Sequence, residues 1–257
     1  MKVTVCELNP GDDARDEDLK ALKAHISENG TDFLLLPEMG FSDWLAATDE
    51  VDPARWQAAV ESHASYIAAL SDLGAKAIVG TRPVTRTSGS RRNEAYVWEP
   101  DTGANGFHEK YYLPDEPGYF EHTWYDRGDK HFATARALDM RIGVQICTEM
   151  WFFDIARHYA KSKIDLLCVP RATPHRSLDR WLFGGQTAAV CAGAFALSSN
   201  LWRPVGDMAN CGGMGFVIDP DGQVLAKTDQ DNPFATVEID LAKTSEAKAT
   251  YPRYVPE

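Results

Sequence analysis

No run of apolar residues in the chain approaches the roughly 20 needed to cross a bilayer, and the opening MKVTVCELNPGDD turns polar too soon for a signal peptide. These two absences predict a cytoplasmic protein with no membrane contact. C-x2-C pairs, HExxH and His-rich tracts are also missing, so neither a structural metal nor a metal cofactor is expected. Cysteine is sparse. Cys6, Cys147, Cys168, Cys191 and Cys211 are odd in number, widely spaced and set mostly in apolar contexts, which argues against a disulfide framework and fits reduced thiols. Basic charge is scarce too: 26 Lys+Arg face 38 Asp+Glu, and the formal charge of -12 repels phosphate backbones and anionic lipid surfaces. Nucleic acid is therefore not an expected partner. No Gly-x-Ser-x-Gly elbow is present, which disfavours a serine hydrolase.

What is present suits an ordinary globular chain. With 44% hydrophobic and 25% charged residues over 257 positions, the composition supports one layered core. No composition break, internal repeat or low-complexity tract divides it, so residues 1–257 read as a single domain. The stretch from Lys243 onward, KTSEAKATYPRYVPE, reads as a C-terminal tail that leaves the core and packs at a subunit interface.

Val3–Cys6 reads as a short buried strand, and Leu19, Leu22 and Ile26 follow at helical spacing up to a stop at Asn29-Gly30. Phe33–Leu36 is a continuous apolar run, the pattern of a strand buried on both faces, and it delivers a charge at Glu38. A helical stretch near Pro53–Leu73 precedes strands at Ala77–Gly80 and Glu94–Trp98, which lead into a turn at Pro100–Gly103. This middle part predicts neighbouring antiparallel strands. From Phe107 to Phe132 the chain is rich in Pro, Gly and aromatics, long for a connection and therefore a place for function. Arg141–Ile146 is another strand, ending at Cys147-Thr148-Glu149, and a helix follows over Asp154–Lys161. Strand Ile164–Pro170, a helix through Leu178, Leu182 and Ala188–Ala192, and strand Phe195–Ser199 come next. Gly215–Ile218 and Val224–Ala226 flank a Pro220-Asp221-Gly222 hairpin turn, and Thr236–Ile239 is a last strand. Alternating strands and helices with some strand–strand neighbours imply an α/β layered fold of mixed sheets covered by helices.

Functional residues in such folds gather at the carboxyl ends of strands. Two segments follow that design, LLLPE ending in Glu38 and RIGVQIC ending in Cys147. A cysteine nucleophile needs a group to take its proton and positive charge or N–H groups to hold an oxyanion. A carboxylate and a lysine are the minimal additions. Taken singly these residues are ordinary: a cysteine ending an apolar strand is usually a passive core thiol, as Cys6 and Cys168 are read to be. Glu38 alone fits a functional carboxylate and solvent exposure in a turn about equally, because an unpaired carboxylate beside buried strand ends is costly, and Lys110 and Glu121 alone fit the surface.

Together the segments resemble the nitrilase, or carbon–nitrogen hydrolase, superfamily over nearly the whole chain. FLLLPEMG resembles the family strand ending in its first catalytic glutamate and so points to Glu38; HEKYYLP resembles the lysine segment and points to Lys110. GVQICTEMWF resembles the nucleophile segment, a Cys with an acidic residue two positions on, and points to Cys147. KYYLPDEPGYFEHTWYDRGD is most similar to the N-carbamoylputrescine amidase branch, which places a second glutamate on Glu121. The resemblance implies a four-layer α-β-β-α sandwich assembled as a homodimer or larger homo-oligomer, with cofactor-free hydrolysis of a small amide or N-carbamoyl substrate through a covalent thioester. In that scheme Glu38 is the general base, Lys110 stabilises the tetrahedral intermediate, Glu121 orients or assists proton transfer, and the Thr148 N–H contributes to the oxyanion site. Asn200 resembles a family asparagine that supports the site from behind.

The chain departs from its relatives at Thr148, where an aromatic residue is common, and at Pro170-Arg171-Ala172-Thr173, where Pro-Thr-Ala is common. Arg171 reads either as a pocket residue binding a substrate carboxylate or as a salt bridge at the mouth of the sheet. Gly213-Met214-Gly215, in place of a Gly-Gly-Ser-like turn, reads as structural. Tyr119, His122 and Trp124 flank Glu121 as pocket lining or as packing of the long loop, and His175 as a helix cap or substrate ligand. Two rival functions stand beside the amidase: a nitrilase using the same thiolate, and a catalytically silent interaction protein that kept the fold.

Overall fold

Val3 and Val5 turn to one face of the first strand and Cys6 and Leu8 to the other, and each side meets a different hydrophobic cluster. In the computed structural model, which describes residues 1–204 and 210–255, this alternation sets up the layers. The elements run β1 (Lys2–Leu8), α1 (Asp12–Asn29), β2 (Phe33–Leu35), α2 (Pro53–Ala68), β3 (Ala77–Thr85), β4 (Arg91–Glu99), β5 (Gly103–Glu109), β6 (Asp115–Glu116), β7 (Tyr119–Phe120), α3 (Glu121–Trp124), β8 (Ala135–Ala137) and β9 (Met140–Val144). They continue with α4 (Phe153–Lys161), β10 (Leu166–Arg171), α5 (Leu178–Ala192), β11 (Phe195–Leu201), β12 (Phe216–Ile218), β13 (Val224–Lys227), β14 (Phe234–Glu238) and α6 (Ala242–Lys248).

One sheet has the order β5-β4-β3-β2-β1, with β14 antiparallel on the other edge of β1; the other runs β8-β9-β10-β11-β12-β13. They join where the end of β1 pairs with β11, Glu7 opposite Asn200 and Leu8 opposite Leu201. Between the sheets lie Val3, Val5, Phe33, Leu35, Ala77, Val79, Ala95 and Val97. On the outer face Leu34, Ile78, Tyr96 and Trp98 meet Leu22 and Ile26 of α1. Helices α4 and α5 cover the second sheet closely: a Cβ at Gly143 would lie 2.9 Å from the Tyr159 ring, and one at Gly185 would lie 2.6 Å from Phe216. The result is the four-layer α-β-β-α sandwich.

The expected antiparallel middle is β3-β4-β5, and the expected turn between β12 and β13 closes through Gly222 N–H to the Asp219 carbonyl. Helix α1 stops at Gly30, whose N–H reaches the Ile26 carbonyl at a φ of 71°. The helix expected over Pro53–Leu73 is shorter, with Asp52 capping its start and a separate single turn at Leu70–Leu73. The chain from Lys243 stays on the core at first. Thr244 and Ala247 are buried, and the Lys248 ammonium donates to the Ile164 and Gly193 carbonyls, because those strand and helix ends leave carbonyls unpaired.

Candidate active site

Four strand ends converge at the site. Pro37, which lacks an N–H, ends the β2 ladder, and Glu38 turns inward with its own N–H on the Arg171 carbonyl at 3.2 Å. Met39 follows at a φ of 50°, its N–H held by the Thr81 hydroxyl at 2.8 Å. From β4, Asn93 donates to Glu38 Oε1 at 2.8 Å. Just past β5, Lys110 is fixed by its N–H to the Asn93 carbonyl, and its Nζ donates to Glu38 Oε1 at 2.7 Å and to Glu121 Oε1 and Oε2 at 2.8 and 2.6 Å. Glu121 opens the short helix α3. Cys147 follows β9 in the left-handed region, at a φ of 50°, and starts a tight turn over Cys147–Trp151. It is 3% exposed, with Sγ 4.0 Å from the Ala172 carbonyl. The four residues singled out from the sequence thus form one buried cluster, with Thr148 partly exposed beside it.

The charges explain its resting state. Burial pushes the Cys147 thiol well above the ordinary thiol value; the Glu38 charge adds to this and the Lys110 ammonium partly offsets it. The thiol is therefore protonated at rest, and attack requires its proton to be removed. Burial also pulls on Lys110, but Glu121 and Glu38 outweigh it and hold the ammonium well above its usual range. Glu121 is shifted upward by burial, with Lys110 opposing and Glu38 adding.

Around the cluster, several residues depart from expectation. Among the described residues Arg171 has no carboxylate as a hydrogen-bond partner, and it does not open to the site. It is fully buried, with Nε on the Ser198 hydroxyl, one terminal nitrogen on the Thr173 hydroxyl and the other on the Met214 carbonyl. Its partners are neutral oxygens, so burial lowers its pKa to about 10. The guanidinium braces the strand end whose Arg171 and Ala172 carbonyls face Glu38 and Cys147. Trp124 packs the long connection, its indole N–H on the Thr48 carbonyl and its ring beneath Arg55. His122 is exposed, and His175 bonds the Arg203 carbonyl instead of capping a helix. Asn200 bridges Thr173 and Gly213, behind the strand end, and Gly213 lies against Glu7 at a φ of 65°. Tyr119 is buried, its hydroxyl beside Cys211 without an oxygen or nitrogen partner.

Sequence reasoning missed three contributors. Asn93 holds Glu38, Tyr125 places a buried hydroxyl next to Glu121 and Glu38, and His108 bonds Glu149, two residues past Cys147. Glu149 had a linear signal of its own, its spacing from Cys147, while His108 and Tyr125 lay inside family-like segments that pointed to other residues. Among the described residues no His, Cys, Asp and Glu side chains gather in a metal-binding cluster, and no helix is long and apolar enough to cross a membrane.

Residues 2–249 match the family model for carbon-nitrogen hydrolases, and the chain belongs to that family. Among curated relatives it is 25% identical over 167 residues to an N-carbamoylputrescine amidase of Solanum tuberosum, covering 59% of this chain and 55% of that protein. The chain therefore matches only about half the length of that relative. It is 26% identical over 246 residues to a citrullinase of Francisella tularensis, covering 90% of this chain and 85% of that one. Among solved structures, a carbon-nitrogen hydrolase from Helicobacter pylori G27 superposes with a TM-score of 0.86 at 21% identity, over 99% of this chain and 94% of the other. A variant of the amidase from Nesterenkonia sp. AN1, carrying the acetamide moiety of fluoroacetamide covalently at its active-site cysteine, gives 0.75 at 20% identity over 96% and 92%. These likenesses carry the shared fold.

Proposed function

We propose that the protein hydrolyses the carbon–nitrogen bond of a small primary amide or N-carbamoyl compound through a Cys147 thioester. The observation that carries this reading is a set of buried polar atoms without partners among the described residues around the Glu38–Lys110–Glu121 cluster: Glu38 Oε2, Asn93 Oδ1 and the hydroxyl of Tyr125. Two of these are pure acceptors, and leaving such groups buried and unpaired is costly. An amide or ureido NH2 supplies the donors that they lack; a nitrile carries none.

In the proposed reaction Glu38 takes the thiol proton as sulfur attacks the carbonyl carbon, and the Lys110 ammonium with the Thr148 N–H holds the developing oxyanion. The C–N bond then breaks, Glu38 returns the proton to the leaving nitrogen, and ammonia departs. Water, deprotonated by Glu38, attacks the thioester and releases the acid and the thiol; from a carbamoyl substrate the carbamic acid decays to amine and carbon dioxide. Glu121 orients Lys110 throughout. The covalent adduct at the cysteine of the Nesterenkonia amidase supports the nucleophile assignment, and the resemblance of the Lys110–Asp129 loop supports carbamoyl substrates.

A matched panel of nitrile, primary amide and N-carbamoyl compound sharing one tail tests this. Ammonia release from the amide or the carbamoyl compound should exceed that from the nitrile by about tenfold or more in kcat/KM. Ammonia from the nitrile alone refutes the reading. Failure of Cys147 to react with a thiol-directed probe favours the silent interaction protein.

We also read the chain as a single domain that forms a cytoplasmic homodimer or larger homo-oligomer. The five cysteines are free, which suits a reducing compartment. Tyr251, Tyr254 and Val255, beyond α6, expose apolar surface together with Phe183, which supports packing of the C-terminal tail against a second subunit. Sedimentation of the full chain as a monomer at micromolar concentration would count against that assembly.

A further inference from the structure

Glu149 is fully buried and carries a role that the proposed chemistry does not assign. It sits two residues past Cys147, where its side chain and backbone close a ring with Ile146. The Ile146 N–H donates to Glu149 Oε2 at 2.9 Å, and the Glu149 N–H donates to the Ile146 carbonyl at 3.1 Å. Cys147 lies inside that ring, in a left-handed conformation that costs a non-glycine residue about 1–2 kcal/mol and persists only where neighbours enforce it. Gln145 closes the turn from below, its amide on the Glu149 and Phe152 carbonyls at 2.7 and 3.1 Å.

The same carboxylate reaches the other strand end. Its Oε1 accepts from the Tyr111 N–H at 2.8 Å and its Oε2 from His108 Nε2 at 2.8 Å, so it grips the chain on both sides of Lys110. His108 is itself fixed, stacked on Phe132 with ring centroids 4.9 Å apart. We propose that Glu149 is a positioning residue that locks the Cys147 turn to the Lys110 strand end and thereby sets where the thiol stands relative to the ammonium. Three N–H donors converge on its two oxygens, and only a carboxylate accepts from both sides; glutamine turns an NH2 group toward one of them. Aspartate is one methylene too short to span both segments. His108 is tuned by the same contact: burial pulls its pKa down, but Glu149 outweighs this and holds it above the ordinary value.

This role rests on Cys147 and Lys110 acting together in the proposed hydrolysis. The test compares wild type, Glu149→Gln and His108→Gln by kcat, KM, circular dichroism and the rate of Cys147 alkylation by iodoacetamide. Alkylation needs the thiol but not the oxyanion lysine, so it separates misalignment from exposure. For Glu149→Gln the expected result is a fall in kcat of about 100-fold, the size of effect that a 1 Å misplacement produces, with KM and alkylation rate each within about threefold of wild type. His108→Gln, which keeps a donor toward Glu149, should retain about a tenth of kcat or more. Unchanged kcat in Glu149→Gln overturns the proposal, as does an alkylation rate that rises about tenfold or more, since that outcome marks a merely structural role. If Glu149→Gln does not fold, His108→Phe removes one donor and keeps the stack on Phe132. A kcat within about twofold of wild type for that variant overturns the proposal too. Absence of turnover in the wild type on every amide and carbamoyl substrate refutes the functional reading and this role with it, whereas wild-type turnover that Glu149→Gln leaves unchanged refutes this role alone.

Discussion

Replacing Cys147 with alanine should lower ammonia release by about ten-thousand-fold or more in kcat, because a catalytic unit that loses its nucleophile retains little beyond binding. The same change should leave the thermal midpoint almost where it was. Cys147 is 3% exposed and its sulfur makes one weak contact, 4.0 Å from the Ala172 carbonyl, so a methyl group loses little packing. Alanine tolerates the φ of 50° no worse than cysteine does, which keeps the turn strain equal on both sides of the comparison. Parallel activity and melting measurements check this. Residual turnover above about one per cent of wild type would remove Cys147 from the nucleophile role. Mass mapping after alkylation provides an internal control, since Cys6, Cys168 and Cys211 are wholly buried and should stay unmodified.

Lys110→Met should abolish activity as well, but for this substitution the fold suffers. The ammonium is the hydrogen-bonding link between Glu38 and Glu121, at 2.7 Å from one and 2.6 Å from the nearer oxygen of the other. Without it two buried carboxylates share a site with no counter-charge, an arrangement that costs about 3–5 kcal/mol. The variant escapes part of that cost by keeping a proton on Glu121, which burial and the Glu38 charge already shift upward and which loses the opposing ammonium. A raised folded value means that the folded state binds the proton more tightly than the unfolded chain, so stability is retained in acid and lost as the pH climbs through the folded value. Wild type loses less over the same range: Glu121 is already raised to about 8, but the Lys110 ammonium opposes that rise, and Lys110, held well above its ordinary value of 10.5, stays charged until strong alkali. The gap in melting temperature between wild type and Lys110→Met should therefore be smallest near pH 5 and widen toward pH 9. A gap independent of pH would show that the three groups are not electrostatically linked.

Two of the buried cations illustrate how differently a sequence position can resolve. Lys110 and Arg171 both sit at strand ends among apolar residues, and both invite a role in binding an anion. Lys110 meets carboxylates, and its charge stays compensated. Arg171 meets a serine and a threonine hydroxyl and a backbone carbonyl, and its nitrogens are occupied inside the protein. A substrate carboxylate finds no open guanidinium there. Tyr119 and Trp124 diverge in the same way: one turns its hydroxyl to the Cys211 sulfur, and the other uses its N–H to fasten the loop.

The alternation of Val3 and Val5 against Cys6 and Leu8, the apolar run at Phe33–Leu36 and the positions of Glu38, Lys110, Glu121 and Cys147 along the chain were legible without coordinates. Periodicity and residue order are local properties, and they determine the layers and the family resemblance. The partners of each polar atom were not. Glu149 acquires its significance from His108 and Tyr111, some 40 residues earlier, at separations of 41 and 38 positions. Arg171 is saturated by Ser198 and Met214; Asn93 joins the site from a segment with no signature, and Tyr125 from a loop whose signature pointed only to Glu121. Whether a buried polar group is satisfied depends on neighbours that only the folded chain brings within 3 Å, so the tertiary structure alone decided which of these residues gather around Lys110 and which hold the walls.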